Sequence, residues 1–178
     1  MLMDFSVDTA HSGPVANSSE TAFVWHHQSD VYDAMIYGSI PGGPELLAWF
    51  GEEPTFHDAE ILRLALNRNG ISELEIHGWI GTGAVDQDGY LVLEKHAVVT
   101  FALEDIMDLQ LDGFSRQNVI NGLILRHATD RGRAGYYALP EGPEDIEIEL
   151  RPCYGLDGFI RAKKVTVSFR PGRPDVDK

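Results

Sequence analysis

From about residue 58 onward the chain is written in a period of two. Ile146, Ile148 and Leu150 alternate with Glu147 and Glu149, and Met107, Leu109 and Leu111 alternate with Asp108 and Gln110. Alternation places one face of a strand on an apolar core and the other in water, the signature of an antiparallel sheet. Ala97–Leu103 is rich in Val, Phe and Thr, and Val119–Leu125 is a near-continuous apolar run that reads as a more central strand. Val165, Val167 and Phe169 form the last run, and Gly89, Gly113, Gly135, Gly142 and Gly155 punctuate between the runs. The pattern predicts an α+β fold: a mainly antiparallel β-sheet of six or more strands with one or two short helices.

One hairpin can be given a register. Residues 58–67 and 71–80 flank Asn69-Gly70, a turn signal. A three-residue loop with Gly70 left-handed sets Leu66 against Ser72, Leu64 against Leu74 and Leu62 against Ile76. It also sets Arg63 against Glu75, an opposite-charge cross-strand pair. A two-residue loop would put Leu64 against Glu75, so the first register, which keeps one face apolar, is preferred.

The helical signal is short. Pro44 suits a first helical position, Glu45 favours the positive end of the dipole, and Gly51 is a natural stop. Leu46, Trp49 and Phe50 share one face at spacings of three and four. Between Thr21 and Tyr37 a strand and a short helix started by Asp30 remain open. Residues 1–20 are polar and read as a loose arm, 21–170 as a single globular domain, and 171–178 as a C-terminal tail.

With 178 residues, a single domain buries about 70% of its unfolded surface and needs neither disulfide nor metal to fold. The one cysteine, Cys153, excludes an internal disulfide and fits a reducing compartment. No signal peptide or membrane-length apolar run is present, so the expected location is cytoplasmic. Residues 1–150 hold 25 acids and 7 bases, net −18, whereas residues 151–178 hold 3 acids and 7 bases, net +4. Such a body repels phosphate backbones, which argues against nucleic acid. It either keeps the protein soluble or steers a basic partner toward it.

Chemistry concentrates in Pro54-Thr55-Phe56-His57-Asp58-Ala59-Glu60. In the preferred register Asp58 and Glu60 continue the face of Leu62 and Leu64, where carboxylates must be solvated or paired. His57, Asp58 and Glu60 are therefore the candidate catalytic residues, for acid–base or metal-assisted hydrolysis. The plainer reading is structural, with Asp58 capping a turn. His77 falls beside Ile61 near Trp79, too far along the register to join His57, and His26-His27 is a poor chelate. No paired-Cys or HExxH spacing occurs, so neither a metal nor a cofactor is expected. Cys153 reads as a buried small hydrophobe, Gly81-Thr82-Gly83-Ala84 as a loop, and Arg161, Lys163 and Lys164 as a solvated edge. Trp49, Phe50 and Trp79 are the candidate partner-binding residues.

The run Ile40-Pro41-Gly42-Gly43-Pro44-Glu45-Leu46-Leu47-Ala48-Trp49-Phe50-Gly51, followed by Pro54 to Ile61, resembles the opening of the immunity protein 50 family. Downstream, Phe114, Asn118-Val119, Gly155, Phe159 and the Val165–Phe169 strand are similar, so the resemblance spans about residues 40–170. Members of that family are inferred to sit beside bacterial polymorphic-toxin genes and to neutralise the toxin by binding it. The resemblance implies a cytoplasmic, non-enzymatic binding protein that neutralises a toxin, and the acidic body fits a basic toxin as the partner. A small hydrolase built on His57, Asp58 and Glu60 is the alternative, and an oligomeric structural module is the third reading.

Overall fold

Leu64 stands opposite Leu74, and Arg63 opposite Glu75, in the computed structural model, which describes residues 35–175. The two strands of this hairpin are β1 (Glu60–Ala65) and β2 (Ser72–Val85). They are followed by β3 (Leu91–Asp112), β4 (Val119–His127), β5 (Ile146–Tyr154) and β6 (Asp157–Pro171). All pairings are antiparallel, and the order β1-β2-β3-β6-β5-β4 closes into a barrel where Glu60 meets Val119. Two short helices precede the strands, α1 (Met35–Ser39) and α2 (Gly43–Phe50). The expected mainly antiparallel sheet of six or more strands with one or two short helices is present, as six strands and two short α-helices among the described residues. Closure is what the structure adds.

The hairpin departs from its expected register at one point. A bulge between Ile61 and Arg63 sets Ile61, not Leu62, against Ile76. Because the side-chain period is two, a single extra residue swaps faces. Ala59 and Ile61 enter the core, Leu62 is exposed, and Glu60 stands opposite His77. Gly70 is not left-handed. The Asn67 side chain closes the loop instead, accepting from the Asn69 N–H at 3.0 Å, while buried Ser72 accepts from the Asn67 N–H at 3.0 Å. An Asx turn of this kind removes the need for glycine geometry.

Two further expectations change. Ala97–Leu103 and Met107–Leu111 belong to one 22-residue strand, β3, which passes through a left-handed Asp105 (φ 54°) and a register shift between Ile106 and Asp108. Gly81–Ala84 lies within β2 rather than in a loop.

The helical segment fills the splay that short β5 leaves. β5 reaches β6 only from Gly158 to Ala162, and beyond that the Val167 N–H donates to the Pro41 carbonyl at 2.8 Å. On the other side the Leu123 N–H donates to the Thr55 carbonyl at 3.1 Å. Ile36, Tyr37, Leu46 and Phe50 join Leu74, Phe101, Ile120, Ile148 and Ile160 in one core. Pro41 can lie this close only because the next residue is glycine. Gly42 has φ 80°, and a Cβ there would sit 1.7 Å from the Val167 carbonyl oxygen, too close for any side chain. Gly51 ends α2 in the left-handed conformation, as its sequence position suggests.

Candidate functional site

Phe56 to Glu60 forms a tight turn into β1. Phe56 and Asp58 are both left-handed, at φ 55° and 60°, and the Ala59 N–H donates back to the Phe56 carbonyl at 3.1 Å. A left-handed phenylalanine is strained. It is held by its ring, which is buried edge-on against Phe50 and Phe101 at centroid distances of 6.2 and 6.0 Å. The turn thus plants Phe56 and Ala59 in the core and turns His57 and Asp58 outward. His57 Nδ1 lies 3.0 Å from Asp58 Oδ2, with both side chains about 60% exposed. Glu60 leaves in another direction, into a shallow hollow with Ser115, Arg116, Gln117 and Tyr154 that neither His57 nor Asp58 lines. The apolar face proposed for Asp58 and Glu60 is lost to the bulge, and the hollow that Glu60 lines is bordered by neither His57 nor Asp58.

Cys153 is exposed rather than buried. Its thiol lies 3.9 Å from both Asp58 Oδ1 and Asn121 Oδ1, because β5 runs past its pairing with β6 and carries the residue onto the rim. Among the described residues no group of three or more His, Cys, Asp or Glu side chains is placed to hold a metal ion. A groove of about 730 Å³ lies elsewhere, between Leu66, Ile71, Ile106, Leu109 and Leu139, with Arg68 and Asp105 at its edge. None of the candidate catalytic residues reaches it.

The three candidate partner-binding residues separate. Phe50 is a core residue, 2% exposed, because the register of α2 turns it inward with Leu46. Trp49 is half-buried against Phe169 and donates from Nε1 to the Lys95 carbonyl at 3.2 Å. Lys95 Nζ in turn donates to the Phe50 carbonyl at 2.7 Å, placing a cation at the negative end of α2. Trp79 lies across β2 and β3 with His77 and His96, ring centroids 5.0 and 5.7 Å away.

The two imidazoles form a directed chain. Arg173 Nη2 is 3.3 Å from His96 Nε2, and His96 Nδ1 is 3.2 Å from His77 Nε2. An arginine only donates, so His96 Nε2 is the acceptor, its proton sits on Nδ1, and His77 accepts that proton at Nε2. The network itself assigns these tautomers. Burial holds the pKa of His77 below the ordinary histidine value, helped by His96 and Arg173. Burial and then Arg173 do the same to His96, against a weaker pull from the Leu93 carbonyl.

A second polar network covers the outer face of β4, β5, β6 and β3. Glu147 and Glu149, read from sequence as a wet face, lie beneath the segment 128–145. Arg131 makes a two-pronged contact to Glu147, Nε to Oε2 and Nη2 to Oε1, both 2.7 Å, with its guanidinium 3.9 Å above the Phe159 ring. Arg126 adds 2.8 Å to Glu147 and 2.6 Å to Glu149. Arg133 grips Asp108 at 2.6 and 3.0 Å. Arg161 and Lys163 each reach Asp145 at 2.7 Å, and Lys164 reaches Glu104 at 2.7 Å. The solvated basic edge expected for Arg161, Lys163 and Lys164 is therefore absent: β6 lies between β3 and β5, and these cations are paired. A signal was present, since Arg126, Arg131 and Arg133 are three of only seven bases in residues 1–150.

Beyond Gly78 and Ala97, β2 and β3 pair only with each other among the described residues. They form a two-stranded arm that turns at Asp86–Tyr90. Asp86 holds the turn, its Oδ1 accepting from the Asp88 and Tyr90 N–H groups at 2.9 Å each. Every residue from Gly81 to Leu91 is exposed.

No helix among the described residues is long and apolar enough to cross a membrane. Comparison with family models, with curated proteins and with solved structures found no match to this chain.

Proposed function

We propose that this protein acts by binding another protein, as a cytoplasmic immunity-type factor whose partner is a basic toxin domain, and not by catalysis. The observation that carries the reading is how the charge is spent. Arg63, Arg126, Arg131, Arg133, Arg161 and Lys163 are each held by the chain's own carboxylates. The acids that outnumber them, such as Glu45, Glu52, Asp88, Glu94 and Glu144, stand exposed on the surface. A field of that sign accelerates encounter with a basic partner and repels acidic ones. The resemblance of residues 40–61 to the immunity protein 50 family supports the same reading. That Glu60 lines a hollow bordered by neither His57 nor Asp58 favours this reading over the hydrolase alternative.

The test joins genetics and biochemistry. The gene should lie beside one encoding a basic toxin domain, and the two purified products should elute together as a stoichiometric complex that abolishes the toxin's activity. A gene with no such neighbour, together with no complex when candidate basic toxin domains are titrated in, overturns the reading.

A further inference from the structure

We infer that the arm from Trp79 to Glu94 is the docking element of this association, and that its occupant is a protein surface carrying Lys or Arg beside apolar side chains. The inference rests on the reading above and adds where the partner sits and what it must present.

The arm combines a fixed root with an open tip. At the root, Trp49 and Phe50 are tied to Lys95, His96 is tied to His77 and Arg173, and the Gly172 N–H donates to the His96 carbonyl at 2.7 Å. At the tip, Val85, Tyr90 and Leu91 are 59%, 72% and 66% exposed, with Val85 directly opposite Leu91. A two-stranded ribbon has no core to bury such side chains. A cluster of exposed aromatic and aliphatic residues on an ordered support has the make-up of an interface anchor.

Charge selects the partner. Residues 80–94 contain Asp86, Asp88 and Glu94 and no Lys, Arg or His. Two such arms repel each other, which disfavours a second copy. Edge pairing is disfavoured as well. β2 is irregular between Gly81 and Val85, where Gly83 has φ 74° and the Thr82 hydroxyl accepts from the Ala84 N–H at 3.2 Å. A bulged, twisted edge is a poor template for strand addition. Contact through side chains at the tip, apolar in the middle and acidic around it, is what remains.

The experiment uses the full chain and two fluorescent peptides of equal charge, one alternating Lys with Leu and one alternating Lys with Ser, measured by anisotropy at about 0.15 M salt. The wild type should bind the Lys-Leu peptide about tenfold more tightly than the Lys-Ser peptide. Asp88→Asn with Glu94→Gln should weaken that binding about tenfold, while the equal-charge control Glu52→Gln with Glu144→Gln weakens it less than about twofold. Asp86 is left in place because it orders the turn. Tyr90→Ser with Leu91→Ser should erase the preference for Leu over Ser. Equal losses in the two charge variants, or an unchanged preference in the serine variant, overturn the arm assignment while leaving the wider reading standing. A wild type that binds neither peptide counts against that wider reading itself. A concentration-dependent dimer in light scattering that disappears with Tyr90→Ser and Leu91→Ser makes the occupant a second copy, and this too overturns the inference.

Discussion

The Glu147 carboxylate, with no exposed surface, is held in two-pronged fashion by the Arg131 guanidinium, which reaches it from a segment outside the barrel. A buried carboxylate with one partner removed is costly even where a hydrogen-bond donor remains. Arg131→Ala is expected to lower stability by about 2–3 kcal/mol, moderated by Arg126, which still reaches Glu147. Urea unfolding monitored by circular dichroism measures it. A midpoint unchanged from wild type would reduce the contact to an ordinary surface pair.

Acid should unfold the protein through the same network. Arg133 holds the Asp108 carboxyl below its ordinary range by hydrogen bonding. Burial pushes Asp145 and Glu147 up, but hydrogen bonds from Lys163 and Arg161, and from Arg131 and Arg126, outweigh it, so both end lowered. When the folded state holds a carboxyl below its unfolded value, the unfolded chain binds more protons. The stability is therefore present above about pH 4.5 and lost as pH falls through the folded values. Unfolding midpoints taken between about pH 7 and pH 3 should drop at the acid end, and Glu147→Gln should flatten that drop. A wild-type curve that stays level to the acid limit would contradict this.

His77 and His96 should be neutral near pH 7, with the proton on Nδ1 in both rings. Their folded pKa values lie below the ordinary 6.5, so the unfolded chain again binds more protons in that window. The contribution to stability is complete above about pH 6.5 and declines as pH falls below it. Nitrogen-detected NMR titration reads both tautomer and pKa. Titration of either ring above the ordinary value, or an Nε2 proton on His96, would contradict the chain from Arg173.

Phe50 and Asp58 should respond in opposite ways. Phe50→Ala empties a core position between α2 and Phe56 and is expected to cost about 3–5 kcal/mol. Asp58→Asn keeps a residue that tolerates the left-handed backbone and should leave the unfolding midpoint near that of the wild type. Thermal melts of the two variants side by side decide it. A large loss from Asp58→Asn would give the exposed His57–Asp58 contact a structural weight its exposure does not suggest.

What could be read from the sequence was what neighbours in the chain decide. Alternation is a local property, so the strands, the Leu64–Leu74 and Arg63–Glu75 pairings and the helix between Pro44 and Gly51 were legible before any coordinates. The arm was hidden in plain composition. Gly81 to Ala84 reads as an ordinary loop until, among the described residues, both edges of the ribbon are found without further strand partners.

The remaining features depend on residues far apart in sequence. One added residue at Leu62 turned Glu60 away from the face that Asp58 was expected to share with it, and no local rule announces such a bulge. Glu147 alternates as a solvent-facing residue should, yet it is buried because Arg131 is folded over it. Phe50 and Trp49 are adjacent on α2, and only the packing of that helix on β6 and the arm root decides which of them is core. The sequence by itself determined a period-two, acidic, mainly antiparallel chain, because side-chain periodicity and net charge are carried by the residues alone. Barrel closure, the burial of the Glu147 network and the scattering of His57, Asp58 and Glu60 were decided by tertiary structure, because each depends on contacts that exist only once distant strands have met.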